Sequence, residues 1–181
     1  VCVQHHHAHA ASCLTEHGLT GPAIALVCDG SGWGDDGHSW GCETLIADLS
    51  GYQRIGHLKY MPLIGGDLAA KQTWRPAMAA MAMTFGEEGL DRLTSLRGDT
   101  PRDQLSLGLA LALRGTGPLS SSLGRWFDAI AWLTSLATEN SYEGQAAMTL
   151  ESAMDESVVE GYPFSVREGE PFQIDLRPMV R

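Results

Sequence analysis

The sequence predicts a mixed α/β fold, and three observations carry that prediction. Ala23-Ile24-Ala25-Leu26-Val27-Cys28 is a short unbroken apolar run between Gly21-Pro22 and the glycine-rich stretch Gly30-Ser31-Gly32-Trp33-Gly34, the pattern of a buried strand. Glu43 to Asp48 and Tyr52 to His57 read as two further strands, with Ser50-Gly51 as the hairpin turn between them. After His57 the chain changes character, and helix-forming segments dominate.

The elements follow in order. Residues His5 to His17 read as a helix, because Ala8, Ala10, Ala11 and Leu14 are good helix formers and Gly18 is placed to stop it. The three strands come next. Helices are then expected near Asp67 to Phe85, Pro101 to Leu113, Ser122 to Leu136 and Gln145 to Met154, and an extended stretch at Pro171 to Leu176. Arg114-Gly115-Thr116-Gly117-Pro118 is the clearest break, so a lobe boundary is placed near residues 114–118 without dividing the chain into two domains. The first residue is Val rather than Met, and the expectation is an internal fragment, residues 1–181, of a longer protein.

Composition narrows the function classes. With 181 residues and 44% hydrophobic content the chain can bury a core. A formal net charge of -10 and only 12 Lys and Arg argue against a nucleic-acid partner, which needs clustered cations to neutralise phosphates. No apolar run reaches the roughly 18 residues of a membrane span, and no signal-peptide pattern is visible, so no membrane partner is expected. Cys2, Cys13, Cys28 and Cys42 form no CxxC pair and read as reduced thiols of a cytoplasmic protein. Cys28 is expected in the core and Cys13 in helix packing, neither in catalysis.

The sharpest chemical feature is Gln4-His5-His6-His7-Ala8-His9. On a helix His5 and His9 are one turn apart and face the same way, so both imidazoles can reach one ion. An expression tag and a functionless histidine-rich surface are the competing readings, but the run is broken by Ala8 and leads into an apolar helix. A zinc-peptidase site is excluded because the general-base Glu that must follow the first histidine is His6 here. Asp29, at the end of the first strand, is the candidate third ligand. The glycines after that strand, Gly30, Gly32 and Gly34 with Ser31, form a candidate anion-binding nest, although such clusters are also ordinary tight turns.

Taken in order, Val3-Gln4-His5-His6-His7-Ala8-His9, Asp29-Gly30-Ser31-Gly32-Trp33-Gly34, Trp40-Gly41-Cys42-Glu43, Gly65-Gly66-Asp67, Trp74-Arg75, Ser122-Leu123-Gly124-Arg125-Trp126-Phe127-Asp128-Ala129 and Tyr142-Glu143-Gly144-Gln145-Ala146-Ala147 resemble the C-terminal transferase region of the HypF family, the carbamoyltransferases of NiFe-hydrogenase maturation. That region resembles the threonylcarbamoyl transferases of tRNA and, more distantly, the sugar-kinase/actin/heat-shock chaperone superfamily. The resemblance implies part of a two-lobed fold around a nucleotide cleft, lacking its C-terminal part: the family's downstream Asp-Gly-Gly and Ser-Gly-Gly motifs are not in this sequence.

The resemblance also implies roles. His5 and His9 match the family's metal histidines, with Asp29 at the phosphate-loop carboxylate; the ion is iron or zinc. Gly30, Ser31, Gly32 and Gly34 would meet phosphate, while Asp128 and the turn Glu143, Gly144 and Gln145 would hold ribose. Gly65, Gly66, Asp67 and Arg75 are secondary candidates, Arg75 as a planar fork for phosphate or carboxylate. The implied reaction moves a carbamoyl group from carbamoyl-adenylate, made from carbamoyl phosphate and ATP, to the C-terminal cysteine of a HypE-like partner. Two alternatives stay open: an O-carbamoyltransferase of secondary metabolism, and a non-catalytic nucleotide-binding module of the actin or chaperone type.

Overall fold

The computed structural model describes residues 2–181 and has the mixed α/β architecture the sequence predicts. Helix α1 (His5–Glu16) leads into three strands, β1 (Ala23–Trp33), β2 (Ser39–Ala47) and β3 (Tyr52–Leu58), which pair as an antiparallel meander. The meander grows into a seven-stranded mixed sheet. On one side β7 (Phe172–Asp175) joins β3 in parallel and β6 (Ser165–Arg167) follows it; on the other, β5 (Leu119–Ser120) meets the start of β2 and pairs with β4 (Met61–Pro62).

Two cores hold the layers together. The smaller lies under α1, where Ala10, Leu45 and Ala47 are buried with Ala25, Val27 and Tyr52 against them. The larger joins the sheet to α3 (Trp74–Phe85), α4 (Gly89–Leu96), α5 (Arg102–Leu113) and α6 (Leu123–Leu133), through Met78, Met81, Leu93, Leu105, Leu109, Trp126 and Trp132. Each fully buried Leu or Met contributes about 1.5–3 kcal/mol. Stability is thus concentrated in the helical layer, away from the histidine helix.

Several expectations are corrected. The helix anticipated over Asp67 to Phe85 is two helices, α2 (Leu68–Lys71) and α3, because Gln72 turns extended and the Thr73 hydroxyl bonds the Ala137 carbonyl; Pro76 then falls in the first turn of α3, where a missing N–H costs nothing. Residues 86–96, where the sequence pattern predicts no element, form a short 3-10 turn that begins at the positive-φ Gly86, followed by α4. The helix expected to Leu136 ends at Leu133, and the remaining helices are α7 (Gln145–Ser152) and α8 (Arg177–Val180).

The first strand departs most from the reading. It runs on through the glycines to Trp33, so Gly30, Ser31 and Gly32 lie in β1 rather than in an open loop; the tight turn comes later, where Gly37 donates to Gly34 and Gly34 to His38. Nor is β1 buried on both faces. Its residues alternate, leaving Ile24 and Leu26 75% and 64% exposed, and Cys28 is exposed while its neighbour Cys42 is buried; Cys13 is exposed too.

Candidate metal and nucleotide site

Gln4 sets the position of the histidine helix. Its side-chain oxygen accepts from the His7 N–H, capping α1, and its amide nitrogen donates to the Trp33 carbonyl at 3.0 Å, tying the cap to the far end of β1. From that start His5 and His9 project from one face, as the spacing predicts. His6 turns inward and is fully buried beside Trp40, and His7 bonds the Asp48 carbonyl. Burial, reinforced by the neighbouring His5, holds His6 at a pKa of about 4, so it stays neutral at neutral pH.

Asp29 is brought to the histidines by a bulge. Pairing with β2 is regular from Ala23 to Cys28 and resumes at Gly32, so Asp29, Gly30 and Ser31 stand opposite the single residue Gly41. Such extra residues bend a strand and re-aim its side chains. Here the Asp29 carboxylate comes 2.6 Å from His5 Nε2 and 3.9 Å from His9 Nε2. Burial pushes the Asp29 carboxyl up, but hydrogen bonds from His5 and the Gly30 N–H outweigh it and hold the carboxyl below its ordinary value.

One ligand atom from each of His5, His9 and Asp29 lies within 4.8 Å of the others. The two Nε2 atoms are 3.3 Å apart, about the edge of a tetrahedron around an ion with metal–nitrogen bonds of about 2.0–2.1 Å. Two imidazoles and a carboxylate suit zinc or iron, and all three side chains are partly exposed, leaving room for a further oxygen ligand. The residues present fit an ion.

The glycines of the run do different things. A Cβ on Gly32 would stand 2.6 Å from the His5 ring, and one on Gly34 would collide with Trp40, so both positions serve close packing. Gly30 is open, with only the Glu143 carboxylate 4.0 Å from where its Cβ would be. Its carbonyl accepts from the Ser122 hydroxyl at 2.6 Å, and Ser122 also caps α6 by accepting from the Arg125 N–H. The α6 N-terminus and Glu143 therefore both border the bulge. Gly144 is left-handed at the start of α7, and Gln145 accepts from the Ser141 N–H.

Asp128 lies deeper. It is buried, 2.7 Å from Arg125 Nε and accepting from Asn140 at 2.7 Å; burial raises its pKa against both partners. Gly65, Gly66, Asp67 and Arg75 gather elsewhere: Arg75 lies under the left-handed Gly65, donating to Gln72 and the Ile64 carbonyl, and none of its hydrogen bonds reaches the histidine cluster.

A family model described as the second subdomain of the Kae1-like domain of carbamoyltransferase matches residues 25–181. The chain belongs to the HypF carbamoyltransferase family. Carbamoyltransferase HypF2 of Cupriavidus necator is 51% identical over 154 residues, covering 83% of this chain and 18% of the relative; carbamoyltransferase HypF of Rhodobacter capsulatus is 44% identical over 157 residues, covering 84% and 20%. A crystal structure of full-length HypF in the phosphate- and nucleotide-bound form superposes over 99% of this chain and 23% of its own, with a TM-score of 0.87 and 38% identity. HypF of T. kodakarensis gives a TM-score of 0.77 at 32% identity over 97% of this chain and 24% of its own. The chain thus spans about a fifth of the length of these HypF proteins.

Some residues around this candidate site carry no role that the sequence alone suggests. Glu43 is completely buried, held by Arg54 at 2.6 Å, the Ser121 hydroxyl and the Gly41 N–H, and Arg54 stacks 4.0 Å over Trp40. This network anchors β2 to the chain leading into α6. Asn140 links α2, α6 and α7, accepting from the Ala146 N–H and donating to the Ala70 carbonyl and Asp128. A charged Glu inside a strand and a polar residue in a Ser/Asn-rich turn were the available signals, and neither is specific.

Proposed function

We propose that this chain supplies the metal-bearing part of an enzyme that moves a carbamoyl group from carbamoyl-adenylate, made from carbamoyl phosphate and ATP, to the C-terminal cysteine thiol of a HypE-like partner, for cyanide-ligand synthesis in NiFe-hydrogenase maturation. The observation that carries this reading is the meeting of His5, His9 and Asp29 at a bulge that also borders the α6 N-terminus and Glu143. The names of the relatives and the phosphate- and nucleotide-bound state of one solved HypF support it.

An iron or zinc ion held by His5, His9 and Asp29 would supply Lewis-acid polarisation of a phosphate or carbamoyl oxygen. Asp29, ionised at neutral pH, brings the negative charge that makes the cluster cation-selective. Gly30 leaves the approach open, and the positive end of α6 beside it favours phosphate oxygens. Glu143, whose carboxylate borders the open Gly30, would accept from ribose hydroxyls, whereas Asp128 would act one layer back, fixing Arg125 and Asn140. The nucleophile comes from the partner, so the chain need only orient donor and acceptor and keep AMP in place as it leaves.

The test uses the full-length protein with carbamoyl phosphate, ATP and the thiol partner. Replacing both His5 and His9 with Ala is expected to abolish the carbamoyl mass addition on the partner's terminal cysteine. Full transfer by that double variant would refute the reading.

A further inference from the structure

We propose that Cys28 and Cys42 form a reversible dithiol/disulfide site, oxidised by hydrogen peroxide, that clamps the edge strand β1 to β2 at the base of the Asp29 bulge. The two cysteines are direct partners in the antiparallel register, so their side chains share a sheet face. Both thiols are free, and their sulfurs are 3.0 Å apart. A disulfide needs about 2.05 Å, so closure asks for a shift of about 1 Å. Among the described residues the other cysteines lack such a partner: Cys13 Sγ faces His17 at 3.9 Å and Cys2 is exposed near the N-terminus.

The pair is also asymmetric. Cys28 is exposed and can meet a small oxidant, while Cys42 is buried beneath it and can resolve the product. The Cys28 thiolate attacks one peroxide oxygen; the O–O bond breaks, Cys28 becomes a sulfenic acid, and the departing hydroxide takes up the thiol proton as water. The Cys42 sulfur then attacks Cys28 Sγ, the S–S bond forms as the S–O bond breaks, and the hydroxyl leaves with the Cys42 proton as a second water. Two thiols have lost two electrons and two protons, and the peroxide has been reduced to two waters.

Position gives the bond its effect. Among the described residues β1 pairs with β2 alone, and Cys28 with Cys42 is the last regular pair before the ladder is interrupted at Asp29. A covalent link there fixes the strand at the point where the bulge departs, whether or not a metal is bound.

The test exposes the reduced chain to stoichiometric hydrogen peroxide in the presence of a chelator, followed by alkylation and digestion without reductant. A Cys28–Cys42 linked peptide, reversed by dithiothreitol, is expected, with Cys2 and Cys13 still alkylated and slower amide exchange across β1 in the oxidised chain. Cys42→Ser should leave Cys28 as a sulfenic acid that dimedone traps. Oxidation of the unsubstituted chain to a Cys28 sulfinic acid without the linked peptide, or linkage scattered over all four cysteines, would overturn the proposal.

Discussion

His5 Nε2 stands 2.6 Å from Asp29 Oδ2, so the first turn of α1 and the bulge of β1 meet in a single contact. The contact joins a ligand spacing within a helix to a carboxylate placed by an irregular strand. Asp29→Asn keeps the shape and removes the charge. It is expected to weaken zinc binding at least about tenfold, since changes even in groups that only support metal ligands cost about 10–100-fold. Competition with a chromophoric chelator measures it, and an unchanged affinity would count against Asp29 as a ligand.

Gly32 tests the packing behind that contact. A methyl group there would come within 2.6 Å of the His5 ring and 2.9 Å of His6, which is buried and cannot retreat. Gly32→Ala is therefore expected to displace His5 and lower metal affinity, with Gly30→Ala, where the space is open, having a smaller effect on the metal. Equal metal affinities for the two variants would show that Gly32 does not hold His5 in place.

These contrasts show what the sequence could convey. The helical spacing of His5 and His9 is a local property, so their shared face was legible, as were the β2–β3 hairpin and most helices. The bulge was not, because it depends on Gly41 facing three residues of β1 while Ser122 and Asp29 crowd the space around it. The same tertiary contacts hid the roles of Glu43 and Asn140. Chain periodicity likewise ran through Gln72 and Thr73, where a distant carbonyl breaks the helix.

The Glu43–Arg54 pair should be costly to break from one side. Glu43 is fully buried and the Arg54 side chain is 12% exposed, so Arg54→Met leaves a buried carboxylate with only hydroxyl and amide donors. Removing one partner of a buried pair costs about 3–5 kcal/mol. Urea unfolding should show a loss of that size, with Arg54→Met plus Glu43→Leu recovering part of it. A loss no larger than about 1 kcal/mol, as for an exposed pair, would contradict the burial argument.

Acid sensitivity should arise partly at His57. Burial pulls its pKa below 6.5; its bond to the Leu58 carbonyl and nearby Asp36 oppose this, and Arg54 adds to it. The unfolded chain therefore takes up the proton first. The stabilising contribution is complete above pH about 6.5 and is lost as pH falls through the folded value. In denaturation series below pH 6.5, His57→Gln is expected to flatten the decline; an unchanged slope would assign the acid sensitivity to other groups.

The central claim, that His5, His9 and Asp29 hold a metal ion, is tested most directly by elemental analysis of the purified chain after equilibration with zinc and buffer exchange. About one zinc per chain is expected for the unsubstituted protein, the number that two imidazoles and one carboxylate converging on one point can hold. The His5→Ala/His9→Ala variant is expected to retain essentially none while keeping the circular dichroism of the parent, because both rings are about half exposed and lie outside the cores. Equal zinc content in the parent and a folded double variant would contradict the account.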